Sequence, residues 1–379
     1  IEQNPAALCI DLPHCRGKLL SAVTALGTER VTGQTFRMDT TEQIFAVADV
    51  ALDQRDMMLA VQLVDIAVSS EISVLGRHFR FGDQVHQFFV FFAVILQRFD
   101  GNKFDIIFME GHYVPPIVLP LKIFTKSKFV FCDHGALSNQ ISDKKATFFR
   151  KIASKLSNKI AVLTNSTKKE YSRIFKVNPE KIEVIPNFID EDILNYKKEY
   201  NKNSKLILSS GRFTAEKGFE MIPDIAEMIF RKHPDWQWHI YGNGPEYINV
   251  QKKITEKNLG KNVILKGFAN NMYEKYADYG VFVLTSYREG FALVLLEAKV
   301  SGIPMVSFDC VSGPSEIIDS DMDGYLIPCY NKKVMAQKIC TLMENDELRD
   351  KFSKNCSHNV DKFNKKAIVE MWYKIINDV

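Results

Sequence analysis

From about residue 104 onward, short apolar runs alternate with longer polar and amphipathic stretches. The runs at 104–109, 128–132, 159–163 and 182–185 each predict a short strand, and the lysine-rich segments between them predict helices. The stretch 114–123 predicts a helix interrupted by prolines. Strands that are nearly continuous in apolar residues, spaced by helices, are the mark of a parallel sheet covered on both faces. Residues 191–204 are polar and charged and predict a linker. A second series then begins, with strands expected at 206–209, 236–241, 263–266, 281–285, 304–308 and 325–327, and closing helical patterns at 334–343 and 367–376. The fold class is therefore α/β, with two doubly wound units. Their expected extents are 1–190 and 205–360, followed by a terminal helix over 361–379 that is placed to pack back on the first unit. Within the first unit, residues 1–100 are atypical, because 59–68 and 85–96 fit helix and buried strand equally well.

Composition sharpens that contrast. Residues 1–100 hold one lysine, Lys18, beside seven arginines, whereas the remainder holds 35 lysines and six arginines. Asparagine divides the same way, with Asn4 alone before position 100 and 21 after it. The first hundred residues thus read as differing in origin from the rest of the chain, by fusion or by a shift of reading frame. Over the whole chain, 49 basic side chains nearly balance 46 acidic ones, which argues against a nucleic-acid partner. The longest apolar stretch, 88–96, is too short to span a bilayer. Seven cysteines show no CxxC pair, and Cys9, His14 and Cys15 make an incomplete metal set, so reduced thiols in a cytoplasmic protein are expected.

Two segments carry candidate chemistry. In Ser286-Tyr287-Arg288-Glu289-Gly290-Phe291-Ala292, a strand passes through a glycine turn into a helix, with Glu297 eight positions after Glu289. Free amides at such a helix start suit an anionic phosphate, and Glu289 in the loop could accept hydrogen bonds from sugar hydroxyls. Glu297, read as two turns into the helix among Leu293, Leu296 and Ala298, needs a partner that ribose hydroxyls would supply; on spacing alone, both acids could equally face water. The second segment, Gly211-Arg212-Phe213-Thr214-Ala215-Glu216-Lys217-Gly218, comes directly after a strand. Arg212 and Lys217 there either neutralise a diphosphate or are solvated surface charges. Gly242-Asn243-Gly244-Pro245 lacks the third glycine of a dinucleotide fingerprint. Asp319, Asp321 and Asp323 alternate like a metal cluster but precede Gly324, so a solvated turn is expected there.

Taken together, Arg212 with Lys217-Gly218, Glu289 with Glu297, and Gly313-Pro314-Ser315-Glu316-Ile317-Ile318 resemble the retaining GT-B glycosyltransferases of family 4. Ile185-Pro186-Asn187, Tyr241-Gly242-Asn243-Gly244-Pro245 and Leu265-Lys266-Gly267-Phe268 add smaller matches, and the resemblance runs from about residue 103 to the end. Phe308-Asp309-Cys310 with the Gly313 stretch looks like bacterial members that build lipopolysaccharide, capsule or other surface polysaccharides. The resemblance implies two Rossmann-like domains facing a cleft. It also implies a nucleoside diphosphate sugar of the UDP type as donor, a saccharide or lipid-linked acceptor, and neither metal nor further cofactor. By the same resemblance, the loop opening at Gly211 would hold the donor diphosphate through Arg212 and Lys217, and Glu297 would hold the ribose. Glu289 would contact the donor sugar beside the amides of Gly290, Phe291 and Ala292, while Gly267 and Phe268 would lie beside the base. His134, in Asp133-His134-Gly135, would meet the donor sugar or else be satisfied locally at the start of a helix. The glycine-pair loop that the family carries near its N-terminus has only a faint echo in Leu26-Gly27-Thr28-Glu29-Arg30.

Residues 143–159 interleave Lys144, Lys145, Arg150, Lys151, Lys155 and Lys159 with Phe148, Phe149, Ile152 and Leu156. Such a helix either lies on the inner face of a membrane, which would suit a lipid-linked acceptor, or packs on its own sheet with a solvated face. Rival readings of the whole chain are a nucleotide-sugar-binding protein without catalysis, a sugar-nucleotide epimerase, and a phosphorylase, whose pyridoxal-phosphate lysine is not identifiable.

Overall fold

The computed structural model describes residues 104–379, together with the backbone of 19–22. The expected features at Cys9, His14 and Cys15, at Leu26 to Arg30, and at 59–68 and 85–96 lie outside the described residues. The chain divides into two compact units, the first comprising 1–163, 167–185 and 369–379, and the second 164–166 and 186–368.

The first unit is built on a parallel sheet in the order β1-β2-β3-β4-β5, formed by Leu19–Ala22, Ile106–Glu110, Lys128–Asp133, Lys159–Val162 and Ile182–Val184. Phe129, Phe131, Ile160 and Val162 are buried in this sheet, as expected for strands covered on both faces. Trp372, from the helix Lys365–Asp378, packs edge-on against Phe108 of β2, with ring centroids 5.6 Å apart.

The second unit carries β6 (Leu206–Ser210), β7 (Gln237–Tyr241), β8 (Val263–Gly267), β9 (Val281–Leu284), β10 (Met305–Phe308) and β11 (Gly324–Ile327). Their spatial order is β11-β10-β9-β6-β7-β8, all parallel. The chain winds outward from β6 through β7 to β8, crosses back, and winds the other way from β9. Its topological switch point therefore lies between β6 and β9, where open α/β sheets take their ligands at the carboxyl ends of the strands.

Residues 191–204 are not a free linker but part of the second unit. Ile193 is buried within the 3₁₀ turn Glu191–Tyr196, the Tyr200 hydroxyl donates to the Gly280 carbonyl at 2.7 Å, and the Ser204 hydroxyl donates to the Asp278 carbonyl at 2.6 Å. A few anchoring contacts suffice to dock a segment whose average composition is polar.

Candidate donor site

The two motif loops meet at the switch point. After β6, the chain runs through Gly211 and Arg212 into the 3₁₀ turn Ala215–Lys217, which ends at Gly218 with φ +63°. After β9, it runs through buried Thr285 and Ser286 to Glu289. The loops are stitched together: the Thr285 hydroxyl donates to the Lys217 carbonyl at 3.1 Å, the Tyr287 amide to the Glu216 carbonyl at 2.8 Å, and Arg288 Nη2 to Glu216 Oε1 at 2.8 Å. A Cβ on Gly218 would stand 2.2 Å from the Thr285 carbonyl oxygen, so this approach requires glycine both for space and for its left-handed backbone.

At the centre of the junction is an ion pair that local spacing does not reveal. Lys217 Nζ donates to both oxygens of Glu289, at 2.8 and 2.9 Å, and the Ser286 hydroxyl donates to Glu289 Oε1 at 2.6 Å. Glu289 is buried, while Lys217 is half-buried. Arg212, five residues earlier, is exposed and has no ion-pair partner among the described residues. The loop thus offers one open guanidinium and one ammonium already shared with a carboxylate.

Glu289 leads through Gly290 and buried Phe291 to Ala292, whose φ of +53° is costly for a residue with a Cβ. The helix Leu293–Val300 starts there. The turn is buttressed from behind, where the Ser312 hydroxyl donates to the Gly290 carbonyl at 3.0 Å and Gly313, at φ +99°, lies against the Phe291 backbone. Glu297 falls one turn into this helix rather than two, and is half-buried. Its partner is on the protein: the Tyr276 hydroxyl donates to Glu297 Oε2 at 2.5 Å. Gly267 closes β8 with φ +69°, and Phe268 beyond it is exposed.

Other candidates have structural roles. The Gly242-Asn243-Gly244 element braces the β6 loop, with the Gly211 amide donating to the Tyr241 carbonyl and the Phe213 amide to the Asn243 carbonyl. Cys310 is buried; burial first, and then the nearby Glu289 charge, push its thiol up to about 12, so it is no ready nucleophile. The Asp319 to Asp323 segment is not simply a solvated turn. Asp323 is buried and takes the ammonium of Lys299, itself buried, at 2.5 Å. Among the described residues, no group of three or more His, Cys, Asp or Glu side chains is arranged to hold a metal ion.

In the first unit, β3 ends at Asp133 and His134 comes next, half-buried, with Nε2 3.6 Å from Glu110 Oε1. The next element is the short 3₁₀ turn Leu137–Gln140 rather than an α-helix. Asp133 is fixed as a buried anchor by Arg150, at 2.8 and 3.1 Å, and by the Tyr171 hydroxyl at 2.5 Å. Arg150 is thus removed from the basic face expected over 143–159. Lys159 is removed as well, because it lies on β4 and pairs with Glu183 at 3.4 Å.

Comparison with known proteins agrees with the two-unit α/β fold. Residues 59–193 match the model of Glycosyltransferase Family 4, and residues 190–358 match that of Glycosyl transferases group 1. The chain belongs to the family 4 GT-B glycosyltransferases. The family 4 match begins at residue 59, so the likeness reaches well into the first hundred residues and not only from about 103.

The chain is 33% identical over 221 residues to a poly(ribitol-phosphate) alpha-N-acetylglucosaminyltransferase of Staphylococcus aureus, covering 58% of this chain and 44% of the relative. It is 27% identical over 275 residues to the amylovoran biosynthesis glycosyltransferase AmsD of Erwinia amylovora, covering 72% of this chain and 76% of that one. Among solved structures, a mutant of S. aureus TarM in complex with fondaparinux, alpha-GlcNAc-glycerol and UDP superposes with a TM-score of 0.65 at 27% identity, over 76% of this chain and 58% of TarM. The chain therefore spans less than half of the first of these relatives.

Proposed function

We propose that this glycosyltransferase moves a sugar from a nucleoside diphosphate sugar of the UDP type to a saccharide or lipid-linked acceptor, with retention at the anomeric carbon, in the synthesis of a bacterial surface polysaccharide. The observation that carries the proposal is the junction at the β6/β9 switch point, where exposed Arg212, the Lys217–Glu289 pair and the start of the helix Leu293–Val300 come from adjoining loops. Arg212, Lys217 and the first amides of that helix take up the charge that develops on the departing diphosphate, so this scheme assigns the leaving group no metal. The bond from the anomeric carbon to the phosphate oxygen breaks with its electron pair going to the diphosphate. The acceptor hydroxyl bonds to the same face, and its proton passes to the departing phosphate. Glu289 meets the donor sugar, Gly267 and Phe268 lie beside the base, and Glu297 holds the ribose. Retention is supported by the alpha linkage in the first relative's name and by the alpha-GlcNAc-glycerol bound with UDP in the TarM mutant, since UDP-GlcNAc is itself α-linked.

Incubation with UDP-sugars should release UDP. Glu297→Ala should raise KM by about ten-fold with a much smaller change in kcat, as expected for loss of a hydrogen-bonded charge that binds donor and transition state alike. An unchanged KM would contradict the ribose assignment.

For the acceptor side we propose a contact with the inner face of an anionic membrane. On the helix Lys144–Leu156, Lys144, Lys145, Lys151 and Lys155 are exposed together with Phe148 (57%) and Leu156 (50%). Lys122 Nζ donates to the Leu156 carbonyl at 2.6 Å, which brings the 82% exposed Ile123 to the same end. Apolar tips among lysines suit an acyl boundary beneath acidic headgroups. The protein should sediment with vesicles containing phosphatidylglycerol and not with pure phosphatidylcholine, and a Phe148→Ser/Lys151→Glu variant should stay in the supernatant. Equal partition of wild type and variant would remove the contact.

A further inference from the structure

Tyr276 has no part in the transfer scheme, yet its hydroxyl makes a short bond to Glu297. It closes the short helix Tyr273–Tyr276 and is fully buried. Its ring stacks on Phe282 of β9, with centroids 6.1 Å apart and planes inclined by 29°, and its hydroxyl lies 2.5 Å from Glu297 Oε2. A buried phenol needs an acceptor for its proton, and Glu297 Oε2 provides it. Apart from Lys299, which pairs with Asp323, the helix residues around Glu297 are apolar, with Val294, Leu295, Leu296, Ala298 and Val300 all buried. A glutamate with three free torsions would lose much of its freedom on closing over a ligand.

We infer that Tyr276 is a positioning residue for the donor. Its hydroxyl holds Glu297 in one rotamer before nucleotide arrives, so that binding does not have to order the side chain. The ring reaches β9 through Phe282, and β9 runs directly into the Glu289 loop. The placement of the ribose acid and of the sugar acid is thereby referred to a single strand. This inference rests on the donor reading of Glu297.

The test is calorimetric titration of UDP into wild type, Tyr276→Phe, Glu297→Ala and the double variant. Tyr276→Phe keeps the ring and its stacking and removes only the hydroxyl. It should weaken UDP binding by about ten-fold, the size of a hydrogen bond to a charged group. In the Glu297→Ala background the same change should add less than about two-fold, because the group being positioned is gone. Its kcat with saturating donor should stay close to wild type, which a general loss of structure would not allow. If Tyr276→Phe binds UDP as wild type does while Glu297→Ala binds weakly, the inference is overturned and the donor reading stands. An equal loss with and without Glu297 also overturns it, since the tyrosine would then act on the fold alone. If Glu297→Ala itself leaves binding unchanged, the donor reading of that residue fails first.

Discussion

Glu289→Ala should lower kcat by about 100- to 1,000-fold, the range seen when one preorganised electrostatic group is taken from a reacting centre. The expectation rests on how Glu289 is held. The carboxylate is buried, bound by the Ser286 hydroxyl at 2.6 Å and by both contacts to Lys217. It therefore cannot turn to solvent, and its charge is available to a sugar bound at the switch point. Lys217 carries the opposite duty, so the pair keeps the cation in the β6 loop and aligned before the diphosphate arrives. Glu289→Gln preserves volume and can still accept from Ser286, but it lacks the charge that fixes Lys217; it should be nearly as slow as the alanine variant. The donor KM should move by only a few-fold in both, because the lost interaction strengthens on the way to the transition state. Steady-state UDP release at saturating and limiting donor separates the two parameters. A variant with normal kcat and raised KM would make Glu289 a binding residue only.

The largest loss of stability is expected from Lys299→Met. Lys299 and Asp323 are both buried, and Lys299 Nζ donates to Asp323 Oδ2 at 2.5 Å and to the Ile317 carbonyl at 2.7 Å. Removing the cation leaves a buried carboxyl without its counter-charge, a change that costs about 3–5 kcal/mol. The pH dependence has a definite sign. Burial already holds the Asp323 carboxyl above its ordinary value, with Lys299 opposing that shift. Without Lys299 the shift grows, so the folded variant keeps its proton over a wider range than the unfolded chain does. The stability of the variant therefore falls as pH rises above the ordinary carboxyl range, and the deficit against wild type is larger at pH 8 than at pH 5. Urea unfolding at the two pH values measures it. A Lys299→Met/Asp323→Leu variant should recover most of the loss. A deficit that is small, or equal at both pH values, would mean that the pair contributes little to the fold.

Much of the parallel architecture was legible because both faces of these strands are buried, which makes them stand out as apolar runs. The expected strand at 281–285 is observed as Val281–Leu284, and that at 304–308 as Met305–Phe308. What was not legible is what the crossover creates. Lys217 and Glu289 are 72 positions apart, and only the adjacency of β6 and β9 brings them together. The same holds for Asp323, whose alternation with Asp319 and Asp321 suggests a solvated turn, although a lysine 24 positions earlier reaches it. The inward turn of Arg150 could have been read in advance. Ala146, Arg150 and Ala153 share one face of a helix by the 3.6-residue pitch, and this is the face that is buried. In 191–204 the average polarity masked the few residues that dock the segment, above all Ile193 and Tyr200.

The central claim is that the switch-point loops of the second unit bind a nucleoside diphosphate. Calorimetric titration of UDP and of GDP into the full chain tests it most directly. The arrangement of Arg212, Lys217 and Glu297 predicts saturable binding of UDP at one site per chain, weakened by about ten-fold or more in Arg212→Ala, where a charge-assisted contact to phosphate is lost. Binding of neither nucleotide, or UDP binding indifferent to Arg212→Ala, would contradict it.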